Sequence, residues 1–136
     1  MRAAFAVSLF GLFGLAACAA QAPLPSGVAA GAQTYRALCA VCHGPQGQGD
    51  GPLAAQLDTS PSDLTRIAAR NGGVFPHAQV IARIHGYPGQ FDEMPDYGPL
   101  FAGPTIGWRD PQTGAVFETP SALVDLADYL ATIQKA

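Results

Sequence analysis

Charge is scarce in this 136-residue sequence: only 12% of it is Asp, Glu, Lys or Arg, with 7 basic against 10 acidic residues. Without a basic stripe there is nothing to neutralise a phosphate backbone, so a nucleic-acid partner is excluded and a basic docking partner fits better. Cysteine is nearly as sparse, at three, which is too few for a disulfide-built scaffold. Methionine occurs twice, once as the initiator, leaving Met94 as the single internal thioether. No apolar run reaches the ~20 residues a spanning helix needs. Glycine and proline, by contrast, are abundant at 16 and 12, a mixture that favours short helices joined by many turns. The length suits one domain. A fold of ~110 residues has a small core, so a large apolar prosthetic group would add burial that the side chains cannot supply.

The N-terminus has the layout of a secretory signal peptide: a positive start at Arg2, an uncharged and mostly apolar stretch from Ala3 to Ala17, then small residues. Within it Leu15-Ala16-Ala17-Cys18 resembles the lipobox of bacterial lipoproteins, which implies a lipidated Cys18 as the first mature residue. The divisions that follow are a signal peptide over 1–17, a lipid-proximal linker over 18–26 and a domain over 27–136. The alternative is an ordinary cleavage after Ala20-Gln21-Ala22, which would discard Cys18. Either way the chain is expected to be exported, and the lipidated form to sit on the periplasmic side of a membrane. Loss of Arg2 leaves a net charge of -4.

Cys39-Ala40-Val41-Cys42-His43 is C-x-x-C-H, the attachment sequence of haem c. On one helical turn the two thiols reach the two haem vinyl groups while the adjacent imidazole is presented to the iron. A thioredoxin-like redox pair would need a βαβ context, and zinc would need more soft ligands than this segment offers. One covalent haem is the expected cofactor, held through Cys39 and Cys42 with iron on His43. Met94, 51 residues beyond His43 in a Gly- and Pro-rich stretch from Gly86 to Pro99, is the candidate second axial ligand. His85 and His77 are the competitors.

Five helical segments are predicted: 28–38, a weak turn within 46–57, 62–70, 76–85 and 120–133. The first would place Val28, Ala32, Tyr35 and Leu38 on one face. Ser62 and Thr119 are the predicted caps of the third and last. The last carries Leu123, Leu126, Ala127, Leu130 and Ile133 at helical spacing. Thr105 to Phe117, with a turn at Gly114, is either a small hairpin or an irregular loop.

These residues together resemble class I cytochromes c from Gly27 to the C-terminus. The resemblance implies an all-α fold of four to five short helices around one haem, with the 105–117 segment as an insertion before the last helix. It also implies that Gly31 and Tyr35 pack on that last helix near Leu126 and Tyr129, and that the Pro52 carbonyl accepts a hydrogen bond from the His43 ring. Gly47-x-Gly49-Asp50-Gly51-Pro52 and Met94-Pro95 complete the likeness. Trp108 falls after the methionine and is assigned to packing. Arg66, Arg70 and Arg83 are candidates to face the haem propionates or simply solvent. The implied function is one-electron transfer between redox protein partners, without catalysis, and the lipobox implies membrane attachment through the lipid. The rivals are a haem enzyme or ligand sensor with an open distal iron site, and a haem-free disulfide oxidoreductase.

Overall fold

A computed structural model describes residues 25–86 and 94–136. Cys18 and the proposed leader lie outside the described residues, as do Asp92 and Glu93. The chain begins with helix α1 (Val28–Thr34), passes without a break through a π-helical turn (Tyr35–Cys39), and continues as α2 (Ala40–His43). Short 3-10 turns follow at Ala54–Gln56 and Leu64–Arg66, the second leading into α3 (Ile67–Arg70). Helix α4 is His77–His85, a 3-10 turn covers Gly98–Phe101, and α5 is Ser121–Thr132. Strands β1 (Thr105–Arg109) and β2 (Val116–Pro120) pair antiparallel, with Trp108 opposite Phe117. The molecule is therefore mostly helical with a β-hairpin, which corrects the all-α expectation.

The hairpin forms where Ile106 and Trp108, alternating on one strand, and Val116 and Phe117 on the other meet a closing turn. Asp110 and Ala115 are joined by an N–H to carbonyl bond of 2.8 Å, and the Thr113 hydroxyl donates to the Asp110 carboxylate at 2.6 Å. Trp108 packs, as its position suggested: its ring lies 6.3 Å from Phe117 and 6.4 Å from His77.

The core is built on α5. Leu123, Leu126, Ala127 and Leu130 are all but inaccessible, as is Tyr35 from the opposing helix. The closest helix pair is α1 on α5, and the contact depends on Gly31. A Cβ there would overlap the Asp125 carbonyl, so only glycine lets the two backbones cross at this distance. The Tyr35 ring stands 5.3 Å from that of Tyr129. The buried face of this first helical run is thus Gly31 of α1 and Tyr35 at the start of the π-helical turn, while Val28 is exposed. Backbone bonds reinforce the crossing: Gly27 N–H donates to the Asp125 carboxylate at 3.0 Å.

Two predicted caps move. Asp63, not Ser62, caps the Leu64–Arg66 turn, its carboxylate accepting from Thr65 N–H at 2.8 Å and from the Thr65 hydroxyl at 2.6 Å. Thr119 does not cap α5: its hydroxyl donates to the Phe117 carbonyl, and α5 starts after Pro120 with no side-chain cap. The Ser121 N–H finds the Pro104 carbonyl at 3.0 Å instead, so the hairpin supplies the partner that a capping side chain would have supplied.

Candidate cofactor site

The continuous helix that Gly31 and Tyr35 dock on α5 ends in the five residues of the C-x-x-C-H motif. Its π-helical turn takes the Ala40 N–H to the Tyr35 carbonyl, one residue further back than in an α-helix. This widened turn lies between the face buried on α5 and the face bearing Cys39, Cys42 and His43. Behind it the Tyr35 hydroxyl, fully buried, donates to the Gly44 carbonyl at 2.6 Å, closing the C-terminus of α2. Burial, with the nearby Cys39, Tyr129 and Asp50 adding to it, pushes the Tyr35 hydroxyl far above its ordinary titration range, so it stays a donor.

The stretch after His43 doubles back on the motif. Gly49, Gly51 and Leu53 N–H groups donate to the carbonyls of His43, Cys42 and Val41 at 2.8, 3.0 and 3.0 Å. Those are the last carbonyls of a helix, which otherwise lack partners. Gly51 makes this approach possible, since a Cβ would come 2.5 Å from the Val41 oxygen. The Gly47-x-Gly49-Asp50-Gly51 run thus clamps the end of α2 in place.

Beside the motif opens a cavity of about 490 Å³, within the ~300–1,000 Å³ common for small-molecule sites. Cys39, Cys42 and His43 form one wall. Leu57, Pro61, Leu64 and Ile67 line it with apolar surface, and Met94, Pro95 and Tyr97 border it from the later part of the chain. Arg70 and Arg83 also line it, whereas Arg66 does not. The Arg70 guanidinium donates to the Asp63 carbonyl at 2.9 Å.

The His43 ring is oriented by a backbone carbonyl, but a different one from that expected. Its Nδ1 lies 3.0 Å from the Ser62 oxygen, so Ser62 replaces Pro52 as the acceptor. A carbonyl can only accept, which places the proton on Nδ1 and leaves Nε2 as the nitrogen able to bind a metal. The physical reason for the correction is where the clamp puts the chain: the N–H groups of Gly49, Gly51 and Leu53 hold that stretch against the carbonyl end of α2, and the carbonyl that meets the imidazole is that of Ser62.

Burial, and secondarily the charge of Cys42, pushes the Cys39 thiol up to about 11. Neither cysteine is in a disulfide. Tyr97 is also raised, by burial first and by the two cysteines after it. Two free thiols, an oriented imidazole, a thioether and an apolar cavity are a donor set that fits a haem.

Of the residues anticipated from sequence, Cys39, Cys42, His43 and Met94 all border this one cavity. Met94 is half-buried and packs against the core. The two competing histidines lie elsewhere. His77 is held between Phe75 and Trp108 with its Nε2 3.6 Å from the Asp128 carboxylate. His85 lines a separate groove between α4 and the hairpin. Sequence reasoning missed Ser62 and Tyr97; a backbone acceptor has no side-chain signature, while an aromatic three residues after the only internal methionine was a usable signal for Tyr97.

The helix carrying C-x-x-C-H, its crossing with α5 and the apolar cavity beside it define a class I c-type cytochrome. More particularly, residues 26–104, over half the chain, match the family model described as cytochrome C oxidase, cbb3-type, subunit III, and the chain belongs to that family. Cytochrome c domains of this family bind covalent haem c with its iron, so haem c is the cofactor. The match ends at the residue before β1, leaving the hairpin and α5 outside it. No curated protein and no solved structure matches the chain.

Proposed function

We propose that this protein is a one-electron carrier whose haem is bonded through Cys39 and Cys42, with His43 and Met94 as axial ligands. The bound haem supplies an iron that cycles between two oxidation states. The observation that carries the ligand assignment is that His43 and Met94 border the same cavity as the two thiols, while His77 and His85 do not. The protein's part is to hold geometry. Ser62 fixes the imidazole, the glycine clamp fixes the end of α2, and the apolar wall keeps water from the cavity, so that little has to move when an electron arrives. A thioether opposite the imidazole raises the reduction potential.

The setting we propose is the periplasmic side of a bacterial membrane. Residues 1–17 would serve as the signal peptide, Cys18 as the lipid-bearing first residue, 18–26 as the tether and 27–136 as the cytochrome domain. Among the described residues no helix is long and apolar enough to cross a membrane; attachment would be through the lipid on Cys18. Donor and acceptor would be redox proteins that meet the domain briefly, guided by its net negative charge.

Visible spectroscopy tests the ligand set. The ferric protein is expected to show the weak red band of methionine on low-spin iron, and Met94→Ala to abolish it and lower the potential. A high-spin spectrum, or carbon monoxide binding to the native ferrous protein, would support an open distal site and a ligand sensor or haem enzyme instead.

A further inference from the structure

Met94 reaches the cavity on a segment with no regular secondary structure, since residues 94–97 belong to no helix or strand. Something else must hold it. Two contacts secure the segment from the α4 side. Gly98 lies against the His85 carbonyl at the end of α4, where a Cβ would overlap the oxygen, and the Asp96 carboxylate abuts Gly86. That carboxylate also accepts from Gly98 N–H at 2.8 Å, fixing the turn between them. Gly86 and Asp96 lie beside each other, so these contacts tie the segment 94–98 to the end of α4, an element that carries none of the proposed thioether or axial residues.

Tyr97 links this segment to the other side. Its ring borders the cavity and its hydroxyl lies 3.4 Å from the carbonyl oxygen of Leu38, 59 residues earlier in the chain. Leu38 immediately precedes Cys39 and sits within the π-helical turn. A tyrosine is long enough to span from the methionine segment to that turn, and its hydroxyl is the donor that the carbonyl requires.

We propose that Tyr97 is a positioning residue for the axial methionine: its hydroxyl, donating to the Leu38 carbonyl, fastens the Met94 segment to the helix that carries Cys39, Cys42 and His43. The inference rests on the reading of Met94 as a ligand. Its consequence is a bias in the competition for the sixth iron position. With the hydroxyl in place residues 94–97 are held against the helix that carries the motif, which favours the thioether; without it one tie across the cavity is lost, and an added ligand competes more easily.

The test is an imidazole titration of the ferric holoprotein, comparing wild type with Tyr97→Phe, Tyr97→Leu and Met94→Ala. Phenylalanine keeps the ring in the cavity and removes only the donor. Tyr97→Phe is expected to bind imidazole about three- to fivefold more tightly than wild type, in the range of one long neutral hydrogen bond, while retaining the red band in the absence of imidazole. Tyr97→Leu should bind at least as tightly. If Tyr97→Phe matched wild type and only Tyr97→Leu differed, the ring alone would matter and the proposal would be overturned. If wild type showed no methionine band, or Met94→Ala did not remove it, the ligand assignment would fail and this inference with it. A band that depends on Met94 together with an unchanged Tyr97→Phe affinity would sink the inference alone.

Discussion

The two sides of the cavity are built in opposite ways. The side with Cys39, Cys42 and His43 is the end of a continuous helical run, docked on α5 through Gly31 and Tyr35, clamped by residues 49–53 and oriented at the imidazole by Ser62. The side with Met94 is irregular chain, held to α4 through Gly86, Asp96 and Gly98 and reaching across through the Tyr97 hydroxyl. The first side is part of a continuous helical run, whereas the second has no regular secondary structure. On the proposed ligation by His43 and Met94, the difference makes the thioether the exchangeable ligand, delivered to a scaffold of which the imidazole is part.

Substitutions at the two proposed ligands should separate the two sides most clearly. His43→Ala is expected to leave almost no haem-loaded protein, because the ligand is lost from the segment that must also present both thiols. Met94→Ala should accumulate with haem still covalently bound and with the helical fold intact. Absorbance of haem per polypeptide, measured on purified protein, separates the two; equal yields would contradict the division into a fixed and a delivered side.

The docking of the fixed side is tested at Gly31. An alanine there must push α1 away from the Asp125 carbonyl, an overpacking that costs about 2–3 kcal/mol and lowers the thermal midpoint by roughly 10 °C or more. Thermal unfolding followed by circular dichroism reads this directly. A midpoint within a few degrees of wild type would mean that the helices separate cheaply and that the crossing does not set the motif's position.

Asp63 offers a smaller effect on the cavity floor. The Thr65 hydroxyl first, then its N–H with help from Lys135 and Arg70, holds this carboxyl below its ordinary range. A depressed folded value contributes stability above the unfolded pKa of ~3.9 that is lost as pH falls through the folded value. Asp63→Ala should therefore cost about 1 kcal/mol at neutral pH, as lost caps do, with the gap from wild type narrowing on acidification below pH ~4. Denaturant unfolding at pH 7 and pH 3 checks it; a gap that stayed constant would assign Asp63 no role as a charged cap.

Local patterns made much of this legible. The C-x-x-C-H spacing, the glycine and tyrosine one turn apart on α1, and the apolar repeat of α5 each depend on residues close in sequence, and the structure places them as that spacing implies. Met94 was found by scarcity, being the single internal methionine. Partners that are backbone atoms were not legible. Ser62 accepts from His43 through a carbonyl that every residue possesses, so the nearer Pro52 was chosen on resemblance alone. The caps slipped for a related reason: Ser62 and Asp63 are adjacent and both able to cap, and only the fold decides that Asp63 faces Thr65. The hairpin was undecided because its strands are five residues each and mostly exposed, giving too short an apolar alternation to exclude a loop.

The family match ends at residue 104, so both the hairpin and α5 lie beyond it. Trp108 of the hairpin rests on His77 at the start of α4, and β2 runs directly into α5. The hairpin therefore buttresses α4 and the start of α5.

Intact mass of the protein, matured in a host able to attach haem c, tests the central claim most directly. The account predicts the polypeptide plus a single haem that survives denaturation, and loss of that increment when Cys39 and Cys42 are both changed to alanine. A colourless product at the mass of the bare chain, or a haem that washes away on unfolding, would contradict it.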